Sequence, residues 1–446
     1  VHADSAMKAK EVLLESLQAD IERNCIKNIH IDCNCSILSI VGDKMIGTIG
    51  IASNLCAALS KANINIRAIS QGSSERNISL VIKNDDAQKA IRAIHSGFYL
   101  SKKTLSIGLI GPGTVGQSLL KQLSEMLGEL SRTYQINFEV RGIMNSEKML
   151  LLDSSIDLQN WKSHFNKRAV TVHLDMFIEH IMGDNIPNVA IIDCTASPTI
   201  ASLYESFMEK GIRIVTPNKH ANAGELNYYK KLQSLAKINH SYFYEATVCA
   251  GLPVISTLQD LIKTGDAIEE INGVFSGTLS YIFNELRKGK AFSSVVIEAK
   301  NLGFTEPDPR EDLSGQDVAR KLICLARELG HNVTMDDINV YDLVPKELKS
   351  CSLDEFIASL PQYDQEINAL LDEAKSNNQR LHYVGSISKD GKLKVAIQHI
   401  PNDHPFSRLD GTDNMIIFHT KRYHVCPLII QGPGAGAEVT AAGIFS

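Results

Sequence analysis

The sequence predicts an α/β protein in three parts: a doubly wound domain, an α+β half that follows it, and a small α+β unit that precedes both. Three observations lead there. From residue 104, continuously apolar strands alternate with helices, as TLSIGLIG, FEVRGIMN, VAIIDCT and IRIVTPNK, which implies a parallel sheet covered on both faces. The first of these strands runs directly into G-x-G-x-x-G at Gly111, Gly113 and Gly116, where a helix opens. Before residue 100, a strand, a helix, two strands and a helix follow closely enough to make one compact unit.

Taken in order, residues 3 to 24 place Met7, Val12, Leu13, Leu17 and Ile21 at near-helical spacing and predict an amphipathic helix. A strand is expected in SILSIVGD (36 to 43), a helix in SNLCAALSKAN (53 to 63), and strands in INIRAIS (64 to 70) and NISLVIK (77 to 83), joined by QGSSER. NDDAQKAIRAIHSGF (84 to 98) has the acidic start of a helix. The doubly wound domain then occupies 101 to 245. Beyond it, long charged segments make a further domain over 246 to 425, and the chain closes on QGPGAGAEVTAAG.

The chain has 446 residues, 44% hydrophobic and 22% charged, enough apolar material for two or three cores. A net charge of -6 and no cluster of Lys and Arg with interleaved aromatics argue against a nucleic-acid partner. No apolar run reaches the roughly 18 to 20 residues of a membrane span, and no basic segment followed by an apolar one opens the chain. A cytoplasmic location is expected, with organelle import through a removed transit peptide as the alternative. The nine cysteines are scattered, and the spacing of Cys33 and Cys35 fits no zinc knuckle, so reduced thiols and no cysteine-held metal are expected.

The glycine turn is a dinucleotide signal because of its context. Glycines permit a tight turn, close approach of a pyrophosphate and close helix packing, while the helix N-terminus favours the anion. The second strand ends at Asn145-Ser146, where an acidic residue would select NAD through the ribose 2'-hydroxyl. Without that carboxylate a 2'-phosphate is not repelled. The expectation is NADP, with NAD as the alternative.

Residues 305 to 321, TEPDPREDLSGQDVARK, hold five carboxylates, two arginines and a lysine. The prolines at 307 and 309 predict a loop over 305 to 312, with Ser314 a candidate N-cap of the helix that follows. Asp317 and Lys321 then stand one helical turn apart on one face. A surface ion pair is the plain alternative, but Val318, Leu322, Ile323, Leu325 and Ala326 cover much of the same helix and leave little of it for solvent.

At this point the chain resembles the homoserine dehydrogenases, in particular those fused behind an aspartokinase. The matching stretches run in family order across residues 36 to 446: NLCAALSKANINIRAISQGSSERNIS, IGLIGPGTVG, DCTAS, VTPNK, YEATVCAGLPVI, FSGTLSYIFNEL, GFTEPDPREDLSGQDVARK and GAGAEVTAAG. The resemblance implies a Rossmann domain, a substrate-binding and dimerisation domain, and an ACT-like regulatory region over residues 1 to 100. Residues 1 to 35 would be the tail of a preceding ACT unit. It implies NAD(P)H-linked reduction of L-aspartate 4-semialdehyde to L-homoserine and the reverse oxidation, by a homodimer or higher homo-oligomer. No kinase pattern is present, and the non-methionine start and the end at AAGIFS suggest a processed or trimmed fragment. A regulatory fragment with a silent dehydrogenase is the competing expectation.

Site residues follow from the matched motifs. Lys321 and Lys219 match catalytic positions, and Asp317 holds Lys321 in place. A lysine that is desolvated or close to another cation has a lowered pKa, so it can give and recover a proton near neutral pH. Which lysine moves the proton is open at this stage, with Lys321 favoured. By the same resemblance Glu306 would bind the amino-acid head group, and Asp312 and Asp317 would hold substrate and position Lys321, while Asp308, Arg310 and Glu311 have no assigned role. Gly111, Gly113, Thr114, Val115, Gly116, Asn145, Thr195, Lys219 and Gly436 would meet the cofactor, which implies that residues 426 to 446 return to the nucleotide-binding domain. A monovalent cation, sodium in the family, would be held by Glu245 and by backbone oxygens near Val248, Ala250 and Leu252, although Cys249 replaces a common glycine. Gln71 is the candidate contact for an effector, L-threonine, with a paired scaffold that has lost sensing as the alternative. Cys194 is expected to be a buried strand-end thiol.

Overall fold

The computed structural model describes residues 3–99, 104–134, 136–183, 186 and 188–446. Two compact units divide near residue 104, the second built of residues 105–181 and 188–446.

In the first unit, helix α1 (Ala6–Ser16) buries none of its residues and leaves Met7, Val12 and Leu13 exposed. It is followed by β1 (Cys35–Val41), α2 (Ile51–Lys61), β2 (Ala68–Gln71), β3 (Asn77–Lys83) and α3 (Ala87–Tyr99). The strands form an antiparallel sheet in the order β1-β3-β2. Strand alternation turns Ile78, Leu80 and Ile82 towards Leu55, Leu59 and Ala90 of the helices. On the opposite face Ile37 and Val41 are 75% and 74% exposed. β2 is shorter than its apolar run predicts, because Ile64 and Ile66 pack into the core before ladder pairing begins at Ala68.

The second unit opens with β4 (Thr104–Ile110), α4 (Thr114–Tyr134), β5 (Asn137–Met144), β6 (Lys148–Leu151), β7 (Val170–Thr171), β8 (Asn188–Asp193), β9 (Arg213–Val215), α5 (His220–Ala223) and β10 (Tyr242–Phe243). Its seven strands lie in the order β10-β9-β8-β4-β5-β6-β7. The pairs β4–β8, β8–β9 and β9–β10 are parallel. β6 and β7 are antiparallel additions, so the sheet is not parallel throughout, as the apolar strands alone suggest. The turn from β5 into β6 is made by Asn145, whose Oδ1 accepts from the Glu147 and Lys148 amides at 2.9 and 2.7 Å. β4 lies between β8 and β5, so the chain leaves it towards opposite sides, the crevice where doubly wound sheets bind ligands.

The remainder comprises α6 (Val254–Lys263), β11 (Ile268–Val274), α7 (Gly277–Arg287), α8 (Pro309–Leu313), α9 (Gln316–Glu328), β12 (Ile338–Val340), β13 (Gln379–Ser388), β14 (Leu393–Pro401), β15 (Asp413–Thr420), β16 (Leu428–Pro433) and α10 (Ala437–Phe445) among its elements. A six-stranded sheet, β12-β14-β13-β11-β15-β16, backs α7 and α9. β16 still belongs to it, and only α10 crosses to the nucleotide side. There Ala441 and Ile444 join Leu119, Leu120 and Leu123 of α4 in one core. No helix among the described residues is long and apolar enough to cross a membrane.

Candidate active site

The glycine turn closes the end of β4. Gly111 has φ 87°, and a Cβ on it would stand 2.6 Å from Thr195 Cγ2. A Cβ on Gly116 would stand 2.3 Å from the Gly111 carbonyl oxygen, whereas one on Gly113 would meet nothing within 4 Å. The first and third glycines are therefore required by the protein's own packing, and the second leaves an open approach beside Thr114 and Val115 at the start of α4. That cradle fits a pyrophosphate. Gly436, at φ 108°, precedes α10, whose Glu438 carbonyl accepts from Gln122 of α4.

Beyond β8, the fully buried Asp193 organises the loop that carries Lys219. Its carboxylate accepts from Tyr204 Oη at 2.5 Å, the Thr195 amide at 2.8 Å and Asn218 Nδ2 at 3.1 Å. Thr216 Oγ1 donates to the Asp193 carbonyl at 2.9 Å and accepts from the Asn218 amide at the same distance. Burial pushes the Asp193 carboxyl up, against these hydrogen bonds. The network fixes residues 216–218, and Lys219 follows them directly, at the position before the first residue of α5. Nothing in DCTAS or VTPNK taken singly announces this pairing, which brings the ends of two strands together. Cys194 is only partly buried, yet desolvation raises its thiol far above the ordinary value.

The charged segment departs from expectation. Pro309–Leu313 is a short helix, not a loop: Asp308 caps it by accepting from the Arg310 amide at 3.0 Å, and Pro309 occupies the first turn, where no amide is needed. Nor is Ser314 the N-cap of α9. Gly315, at φ 70°, takes that place, and a Cβ there would lie 2.0 Å from Tyr383 Oη. Arg310 pairs with Asp308 and donates to the carbonyls of Leu348 and Cys351 at 3.2 and 2.7 Å. These two residues anchor the start of the short helix to residues 348–351.

From α9, Asp317 and Lys321 project to the same point. Lys321 Nζ lies 3.0 Å from Asp317 Oδ2 and donates to the Phe275 carbonyl at 2.7 Å. Lys219 Nζ lies 3.2 Å from the other oxygen, Oδ1. One carboxylate thus holds two ammonium groups. Burial raises the Asp317 carboxyl, but Lys321 and then Lys219 outweigh it and hold it well below the usual range. The Lys321 ammonium, only 9% exposed, is pushed down by desolvation yet ends above its ordinary value because Asp317 stands beside it. This corrects the lowered lysine pKa expected from desolvation alone: the carboxylate wins, and Lys321 is held charged.

Glu306 is exposed at the rim, and its amide donates to Asp312 Oδ2 at 2.8 Å. Partial desolvation, then Asp312, Glu311 and Asp317, raises its pKa. Asp312 Oδ1 lies 2.9 Å from the Thr278 hydroxyl, which also reaches the Phe304 carbonyl at 2.5 Å. Both Asp312 oxygens are thereby occupied in shaping the rim. The Phe275 carbonyl and Thr278, from FSGT, carry no titratable group, so no charge pattern in the sequence marks them.

Glu245 accepts from the Ile255 and Ser256 amides, each at 2.8 Å, at the start of α6. Carboxylate oxygens have further lone pairs, so these bonds leave room for a cation. Cys249 and Ala250 have φ 58° and 55°, a sharp left-handed turn that glycine adopts more readily than either residue. Leu252 O accepts from the Val254 amide at 2.8 Å. The Glu245 carboxylate and these carbonyls are hard oxygen donors, and no cluster of three His, Cys, Asp or Glu is found among the described residues. All nine cysteines are free. In the first unit, Gln71 ends β2 with an exposed side chain.

Family profiles match three stretches: an ACT domain over residues 38–98, the homoserine dehydrogenase NAD-binding domain over 111–245, and homoserine dehydrogenase over 253–446. The chain is 42% identical over 354 residues to the homoserine dehydrogenase of Saccharomyces cerevisiae, covering 78% of this chain and 97% of that one. It is 48% identical over 440 residues to the chloroplastic bifunctional aspartokinase/homoserine dehydrogenase 2 of Arabidopsis thaliana, covering 98% of this chain and 48% of the relative. It thus spans about half the length of such bifunctional relatives. Among solved structures, a Candida auris protein of unknown function has a TM-score of 0.70 at 38% identity, covering 77% of this chain and 96% of its own. A hyperthermophilic archaeal homoserine dehydrogenase in complex with NADPH has a TM-score of 0.58 at 25% identity, covering 77% and 95%.

Proposed function

We propose, from the premise that the chain belongs to the homoserine dehydrogenase family, that it reduces L-aspartate 4-semialdehyde to L-homoserine with NADPH and catalyses the reverse oxidation. The observation that carries this reading is the carboxylate of Asp317 holding Lys219 and Lys321 on its two oxygens.

The nicotinamide cofactor supplies and accepts the hydride. The chain's part is to bind, orient and move a proton. Reduction builds negative charge on the aldehyde oxygen, and a charged Lys321 can neutralise it and deliver the proton. Asp317 keeps Lys321 protonated and aimed, while Lys219 adds a second positive charge from the nucleotide side. Glu306 at the rim suits the substrate ammonium, with Asp312 shaping that rim. Gly111, Gly113, Thr114, Val115, Gly116, Thr195 and Gly436 line the dinucleotide path, and the uncharged Asn145 tip favours NADP over NAD.

Glu245, with carbonyls near Val248, Ala250 and Leu252, would hold sodium as a structural ion. The ACT region would take L-threonine near Gln71, and the enzyme would act as a homo-oligomer, a dimer first, outside the membrane. Loss of NADPH absorbance on adding L-aspartate semialdehyde tests the activity, and suppression of that loss by L-threonine tests the effector. No loss of NADPH would overturn the dehydrogenase reading, and indifference to threonine would overturn the effector reading alone.

A further inference from the structure

Arg327 is a charged side chain only 4% exposed, in the last turn of α9, the helix whose first turn carries Asp317. Its hydrogen-bond acceptors are main-chain carbonyls. Nη1 donates to Asn222 O at 2.6 Å, Nη2 to Gly224 O at 2.7 Å, and Nε and Nη2 both reach Val333 O, at 3.1 and 3.0 Å. The guanidinium also lies 5.2 Å from the Tyr229 ring.

Asn222 and Gly224 stand at the C-terminal end of α5, where helix carbonyls lack internal partners. Lys219 immediately precedes the other end of the same helix. α5 and its flanking residues, 219 to 224, are therefore held to α9 twice: Lys219 meets Asp317 near the start of α9, and the Arg327 fork meets Asn222 and Gly224 near its end. α5 descends from the nucleotide sheet, and α9 carries the other lysine.

We propose that Arg327 is a positioning residue for the reaction, closing α5 onto α9 so that the Lys219 ammonium is held at Asp317. This rests on the dehydrogenase reading. Arginine suits the task because a rigid planar fork can satisfy several carbonyls at once, which an ammonium on a flexible stem cannot. Effective geometry at a reacting centre is sensitive to small displacements, so loosening the far end of α5 should be felt at Lys219.

The test compares Arg327→Lys, which keeps the charge and loses the fork, with Arg327→Ala. Two readouts are used besides melting temperature. The first is steady-state reduction with NADPH and with its deuterated form. The second is acetylation of Lys219 by acetic anhydride, read by mass spectrometry against the exposed Lys392. Arg327→Lys should lower kcat by about ten-fold or more with NADPH affinity within about three-fold. The deuterium isotope effect on kcat should grow, and Lys219 should label several-fold faster. Guanidinium should restore part of the activity of Arg327→Ala; if that variant does not fold, Arg327→Lys decides alone. A lower melting temperature with unchanged isotope effect and unchanged Lys219 labelling would overturn the proposal. A wild-type protein that consumes no NADPH would overturn the dehydrogenase reading, and faster or unchanged Lys219 labelling would then still support or overturn the Arg327 contact.

Discussion

Lys219 and Asp317 approach to 3.2 Å although 97 residues separate them in the chain, the lysine just before a helix that leaves the nucleotide sheet and the carboxylate in the first turn of α9. Because Asp317 also holds Lys321 at 3.0 Å, its charge sets the protonation of the site.

Replacing Asp317 by Asn keeps the shape and removes the anion. Turnover should fall by about 10² to 10⁴. Lys321 would then face the Lys219 ammonium without compensation, which lowers the Lys321 pKa. The limb of the kcat/KM profile that reports loss of the protonated acid should move to lower pH. A pH profile identical to wild type would remove Asp317 from the proton chemistry.

Lys321→Arg keeps a cation and removes a transferable proton, since arginine remains charged. A drop in kcat of about 10² to 10⁴ with little change in NADPH affinity is expected. Lys219→Arg should retain more activity than Lys321→Arg. The opposite order in a side-by-side rate measurement would make Lys219 the acid.

The glycine turn separates packing from binding. Gly116→Ala brings a Cβ against the Gly111 carbonyl and should lower the melting temperature even without cofactor. Gly113→Ala meets no protein atom within 4 Å, so stability should change little while NADPH affinity falls at least about ten-fold. Calorimetry and NADPH fluorescence titration distinguish the two.

His382 is 2% exposed, and neither ring nitrogen has a partner among the described residues. Burial, then Arg287, Arg380 and His404, lowers its pKa from 6.5 to about 4. The unfolded chain therefore binds this proton more readily than the folded one. Its penalty on stability is absent above pH 6.5, grows as pH falls towards 4, and levels off below, reaching about 3 kcal/mol. His382→Leu should flatten denaturant-measured stability across that window. A slope unchanged from wild type would assign the acid loss elsewhere.

If Glu245 helps to hold sodium, replacing sodium by a bulky organic cation at constant ionic strength should lower the melting temperature. Glu245→Gln should abolish that difference while retaining part of the helix capping. Equal melting curves for wild type in the two salts would remove the ion.

How much was legible follows from the range of each signal. The strand and helix order, the glycine turn and the i, i+4 spacing of Asp317 and Lys321 are local, written by side-chain periodicity and by backbone positions that only glycine fills easily. The prolines at 307 and 309 misled because Pro309 starts a helix as readily as it ends one, and Asp308 was there to cap it. Asn145-Ser146 gave no sign of the hairpin into β6 because an Asx turn depends on which amides come within reach. Tertiary structure alone decided that Lys219 joins the Asp317–Lys321 pair, that Asp308 and Arg310 anchor the short helix, and that Lys321 is held charged instead of being neutralised by burial. Those outcomes depend on distances between elements far apart in the chain, where a carboxylate at 3 Å outweighs desolvation, and no spacing along a sequence contains that distance.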